Sequence, residues 1–183
     1  MEITAEKIMQ QLSAGTQVAG VIAVFGEEGY YKDKIAAALP RAVLGDAAPE
    51  DREITVFERD TDIKEISAAV NTYPFFSGRS LVIIKDEKLW GGKDGGEKRK
   101  QQQEELAELL ADVPEHCQVL LLGEKIDKRG KLYKSLLKTA AMVECKSLKS
   151  YQLKPWLDEQ AALRGCRFDY EASQTIMEYP VSY

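Results

Sequence analysis

The chain has 183 residues, 44% of them apolar, with Lys+Arg 25 against Asp+Glu 30 and a net charge of −5. That length suits one domain and part of a second, and a core of this size needs neither disulfides nor a metal. The acidic balance excludes a general nucleic-acid binder, and the longest apolar stretch, Val18–Phe25, is far too short to cross a bilayer.

A first predicted helix covers Met1–Leu12, and its mixed, acidic start carries no leader pattern. A strand over Val18–Phe25 precedes an Ala-rich helix, Lys32–Leu39. A second strand, Glu53–Phe57, leads to a helix over Asp62–Val70, where Asp62 and Glu65 resemble a capping box and Ile63, Ile66 and Val70 share a face. Next come a strand, Ser80–Lys85, and a Gly-rich loop, Trp90–Gly96. A helix over Glu97–Ala111 stops before Pro114, and a strand, Cys117–Leu122, follows. A helix over Lys131–Lys138 and a strand over Ala141–Glu144 complete the series. The strand runs are continuous rather than alternating, as in strands covered on both faces. Strands alternating with helices predict an α/β domain: a parallel sheet of about five strands with helices on both faces. Beyond Glu144 only helices are expected: Ser150–Leu163, with Pro155 near its first turn and Trp156, Leu157 and Leu163 on its apolar side, then Tyr170–Tyr179 after Gly165. The predicted boundaries are 1–145 for the α/β domain and 146–183 for a small helical one.

Cys117, Cys145 and Cys166 show no paired spacing, so they read as three structural thiols of a cytoplasmic protein rather than a disulfide frame or metal site. His116 is the only histidine and reads as structural, which removes Ser/His/Asp and Cys/His chemistry. No metal or cofactor is expected.

The first strand ends in Gly26-Glu27-Glu28-Gly29-Tyr30-Tyr31-Lys32-Asp33 and enters a helix. That is the position of a phosphate-binding loop, and Gly26 and Lys32 are spaced as the first Gly and the Lys of G-x-x-x-x-G-K-[ST]. Tyr31, however, stands where a Gly lets the backbone wrap phosphates, and Asp33 replaces the Mg²⁺-binding hydroxyl. Glu27 and Glu28 add negative charge where phosphates would sit, so the loop is expected to repel ATP. The strand Leu81–Ile84 runs into Lys85-Asp86-Glu87, a displaced echo of an Mg²⁺-binding acidic pair; these read as solvated acids at a strand end.

Tyr73-Pro74-Phe75-Phe76-Ser77-Gly78-Arg79 puts adjacent aromatics in a turn, at the sheet edge opposite the phosphate-type loop. One reading exposes a ring to a protein partner; the other tucks the pair under the first helix. Residues 125–154 hold nine Lys/Arg and two acids. Within them Lys131, Lys134 and Lys138 share a helix face, next to Lys128 and Arg129. Such a stripe either faces a nucleic-acid backbone or is simply solvated.

Four segments together resemble the δ subunit of bacterial DNA polymerase III, the clamp-opening member of the clamp loader. They are VIAVFGEEGYYKDKI, YPFFSGRSLVIIKDE, CQVLLLGEKIDKRGKLYKSLLK and VECKSLKSYQLKPWL, spread over about residues 18–157. The resemblance implies an ATPase-like domain that has lost its nucleotide site. It implies that Pro74, Phe75 and Phe76 match the apolar tip that enters a pocket of the ring-shaped sliding clamp. It also implies a three-helix lid, here expected to lack its last helix, and an absent collar domain that joins the other loader subunits. The mechanism implied is non-catalytic: the tip docks near a clamp interface and biases the ring open, with primed DNA contacted weakly or indirectly. The rival readings are an active P-loop NTPase and a stand-alone DNA-binding module.

Overall fold

The computed structural model describes residues 1–16, 18–75, 78–86, 89 and 96–178. The chain divides into two compact units, Met1–Lys146 and Ser147–Tyr183. The first opens with helix α1 (Ala5–Ser13) and strand β1 (Val21–Phe25), followed by α2 (Gly29–Leu44) and β2 (Ile54–Phe57). It continues through α3 (Ile63–Asn71), β3 (Ser80–Ile84), α4 (Glu97–Ala111), β4 (Cys117–Gly123), α5 (Lys131–Thr139) and β5 (Ala141–Glu144).

The five strands form one sheet in the order β2-β3-β4-β1-β5, and every pairing is parallel. The α/β prediction therefore holds. Side chains alternate across the pleat: Val21, Ala23 and Phe25 of β1 face one layer, Ile22 and Val24 the other. On the first face they meet Ile66 and Val70 of α3, Leu106 and Leu110 of α4, and Leu132 and Leu136 of α5. On the second they meet Ile8 and Leu12 of α1 and Ile35 and Leu39 of α2. Burial on both faces explains why β1 and β3 are continuous apolar runs.

Four predicted features depart from this frame. The first helix begins at Ala5 rather than Met1, because Glu2 bridges to Met142 of β5 and Thr4 caps the helix on the Lys7 amide. The first strand starts at Val21 rather than Val18, and the Ala19 and Gly20 carbonyls before it accept from the Gln118 side-chain amide at 2.8 and 2.9 Å. Helix α2 runs through Pro40 to Leu44, well beyond Leu39; burial of Val43 and Leu44 outweighs the one helical hydrogen bond that proline removes. Strand β2 is not covered on both faces: it lies at the sheet edge, with Ile54 36% and Val56 44% exposed.

The second unit contains α6 (Ser150–Ala162) and α7 (Tyr170–Glu178). Gly165, at φ 68°, closes α6 while the Cys166 and Gly165 amides return to the Ala161 and Ala162 carbonyls. Leu163 lies past the helix end and is exposed rather than on its apolar side. Cys166 is exposed too, so only Cys117 and Cys145 are buried thiols. The predicted loop over residues 90–95 and the final residue of the last helix, Tyr179, fall outside the described residues.

Candidate functional site

Two places on the first unit matter, at opposite ends of parallel strands about 16 Å long. One is the turn after β1. There Gly26 adopts φ 130°, and a Cβ would lie 2.6 Å from the Cys145 carbonyl carbon and 2.9 Å from its nitrogen. Only glycine permits this approach of the chain after β5 to the loop. The loop's polar groups are then consumed internally. The Gly26 amide donates to the Glu124 carbonyl at 3.0 Å, and the Glu28 amide to the Cys145 carbonyl at 3.2 Å. The Glu28 carboxylate caps α2, accepting from the Tyr30 and Tyr31 amides at 2.7 and 3.2 Å. Lys32 turns its ammonium onto the Gly26 carbonyl at 2.7 Å. A phosphate would need those same amides and that same ammonium. The protein's own carboxylate and carbonyls hold them instead.

Gly26 in the turn and Gly29, Tyr31, Lys32 and Asp33 in the first turns of α2 are thus brought together, with the turn closed on itself. A cleft of about 610 Å³ beside it is lined by Lys32, Asp33, Glu58, Arg59, Lys85, Asp86 and Glu124, four carboxylates against three cations. Lys85 is already paired with Glu58 at 3.3 Å. The expectation of solvated acids after β3 is wrong for Asp86, which is 2% exposed and accepts from the Thr61 amide at 3.2 Å. Its role there is to tie the start of α3 to the end of β3. Burial pushes the neighbouring Cys145 thiol up to about 11, and the Glu28 carboxylate adds to the effect. Among the described residues no His/Cys/Asp/Glu group is placed to hold a metal ion.

The other place is the turn between α3 and β3. The Thr72 amide closes α3 on the Ala68 carbonyl. Tyr73 packs its ring 5.1 Å from that of His116, Pro74 is buried, and Phe75 stands 89% exposed. The Phe75 amide donates to Glu53 Oε1 at 2.7 Å. This overturns the alternative in which Phe75 lies beneath the first helix; Phe76 is outside the described residues. An exposed ring on an anchored backbone is suited to entering an apolar pocket.

Within the first unit, several cations of the basic stretch are paired with carboxylates. Lys128 pairs with Glu144 at 2.7 Å, Arg129 with Asp127 at 3.4 Å and Lys131 with Glu104 at 2.6 Å. The last contact raises the Lys131 pKa, chiefly through its hydrogen bond. Lys134 and Lys138 are exposed and form no ion pair among the described residues. Sequence reasoning missed Glu53, for which a single Glu before a strand offers no signal, and the burial of Asp86, which depends on a partner 25 residues away.

The family described as DNA polymerase III, delta subunit matches residues 24–146. DNA polymerase III subunit delta of Bacillus subtilis (strain 168) is 30% identical over 135 residues, covering 72% of this chain and 39% of that protein. The solved Bacillus subtilis DNA clamp loader delta protein is similar at a TM-score of 0.76 and 24% identity, covering 94% of this chain and 51% of that one. A DNA polymerase III, gamma subunit-related protein from Thermotoga maritima is similar at a TM-score of 0.51 and 16% identity, over 95% and 57% of the two chains. At these identities the structural likenesses establish the fold. The chain spans about two fifths of the curated relative and about half of the first solved one. No helix among the described residues is long and apolar enough to cross a membrane.

Proposed function

The chain belongs to the DNA polymerase III delta subunit family, and from that premise we propose that it binds and opens a ring-shaped sliding clamp for loading onto primed DNA, without hydrolysing ATP itself. The observation that carries this reading is the exposure of Phe75 on an anchored turn, at the sheet edge opposite the closed phosphate-type loop. Residues Pro74, Phe75 and Phe76 form the contact. Burying one such ring in a clamp pocket contributes roughly 1.5–3 kcal/mol, enough for a hot spot. Opening the ring requires tighter binding to the open clamp than to the closed one. The lack of ATP turnover is supported by the amides and ammonium already engaged by Glu28, Glu124, Cys145 and Gly26. Residues 1–145 make up the clamp-binding domain and residues 146–183 part of a helical lid. In the whole protein a C-terminal collar joins the other loader subunits, in the cytoplasm. DNA contact is weak, through Lys134 and Lys138 and the partly neutralised Lys128, Arg129 and Lys131.

The test is binding of immobilised sliding clamp by the wild-type chain and by Phe75→Ala/Phe76→Ala. Binding by the wild type alone is expected; equal binding by both, or by neither, refutes the reading. Calorimetry with Mg-ATP should detect no binding. Tight binding would restore the NTPase alternative.

A further inference from the structure

Glu53 grips the tip from two directions. Its main-chain carbonyl accepts from the Leu81 amide at 2.9 Å, just after the turn. Its side-chain Oε1 accepts from the Phe75 amide at 2.7 Å, within the turn. The register that sets Ile54 against Leu81 in the edge pairing is what brings Glu53 alongside the turn. The arrangement has a cost: Oε2 of the same carboxylate is buried and has no hydrogen-bond partner among the described residues. A carboxylate held in that way adds little to the core, since it touches an exposed amide that water would otherwise satisfy. Its effect is on the backbone that carries the ring.

On the reading that Phe75 contacts the clamp, we infer that Glu53 is the positioning residue of the tip. It fixes the main chain at Phe75 so that the ring is already presented outward when the partner arrives. Without that bond the main chain at Phe75 samples other conformations, and ordering it is charged against binding. Glu53 touches no partner atom in this account and acts only through Phe75.

The experiment compares wild type, Glu53→Ala, Glu53→Asp, Glu53→Gln and Phe75→Ala as full chains. It reads affinity for immobilised sliding clamp, hydrogen exchange at the Phe75 amide and the melting temperature. Glu53→Ala should weaken clamp binding about tenfold and speed exchange at Phe75 by a similar factor. Glu53→Asp, one methylene too short, should behave like Glu53→Ala and supplies the answer if the alanine variant fails to fold. Glu53→Gln keeps an acceptor oxygen and should restore most of the affinity. The melting temperatures of the folded variants should stay close to wild type. Wild-type affinity in Glu53→Ala or Glu53→Asp, with binding lost in Phe75→Ala, overturns the positioning role and leaves the clamp reading intact. Wild-type affinity in Phe75→Ala overturns both.

Discussion

Replacing Gly26 by alanine probes the contact that closes the phosphate-type loop. Gly26 sits at φ 130°, where an L side chain is strained by on the order of 1–3 kcal/mol. The new Cβ would lie 2.6 Å from the Cys145 carbonyl carbon and 2.9 Å from its nitrogen. These are main-chain atoms, so no rotamer change relieves the clash, and the segment after β5 must move. That movement strains two hydrogen bonds, Cys145 amide to Phe25 carbonyl at 2.7 Å and Glu28 amide to Cys145 carbonyl at 3.2 Å. Each contributes about 1 kcal/mol. The sum is a destabilisation of about 3–5 kcal/mol, a large share of the roughly 5–15 kcal/mol typical of a native protein. Gly29→Ala is the control. No atom lies within 4 Å of its Cβ, and it begins α2, so its effect should stay within about 1 kcal/mol. Denaturant unfolding followed by far-UV circular dichroism measures both. A Gly26→Ala loss below about 1 kcal/mol, or no larger than that of Gly29→Ala, would refute the idea that main-chain contact with Cys145 closes this loop.

Three further outcomes are expected. Asp86→Ala should destabilise by about 1–3 kcal/mol, because it orphans the Thr61 amide and empties a buried site; the same denaturation assay shows it, and a neutral result contradicts the tie between α3 and β3. Under native conditions near pH 8, a thiol-alkylating reagent followed by mass spectrometry should modify Cys166 first. Cys117 and Cys145 are buried with thiols pushed upward, Cys145 to about 11, and should react only after unfolding. Partial burial pulls the Glu144 carboxyl upward, but hydrogen bonds from Lys128 and Lys146 outweigh it and hold the group below its ordinary value of 4.5. A lowered folded-state pKa stabilises above the unfolded value and loses that contribution as pH falls through the folded one. Stability should therefore decline through acid pH more steeply in wild type than in Glu144→Gln; parallel curves in the two proteins would contradict the pairing.

The α/β architecture was legible because burial on both faces leaves a local mark. Val21–Phe25, Ser80–Ile84 and Cys117–Leu121 are near-continuous apolar runs, and Ile63, Ile66 and Val70 repeat at helical spacing between two of them. The chemistry of the loop was legible for a similar reason: Tyr31 and Asp33 depart from the phosphate motif, and Glu27 and Glu28 add negative charge, whatever surrounds them. How the loop is closed was not legible, since it depends on Cys145 and Glu124, more than 95 residues from Gly26. Exposure of β2 and burial of Asp86 depend likewise on which strand ends at the edge and what packs nearby.

The sequence by itself determined the elements, their order and the departures from the phosphate motif at Tyr31 and Asp33, because spacing and side-chain type act locally. Only the tertiary structure decided which way Phe75 points. Two adjacent rings in a turn satisfy a core or a partner equally well as composition, and the choice falls to remote anchors: Glu53 on the Phe75 amide and His116 against Tyr73. Those contacts join β2 and the start of β4 to the turn before β3, and no pattern along the chain encodes them.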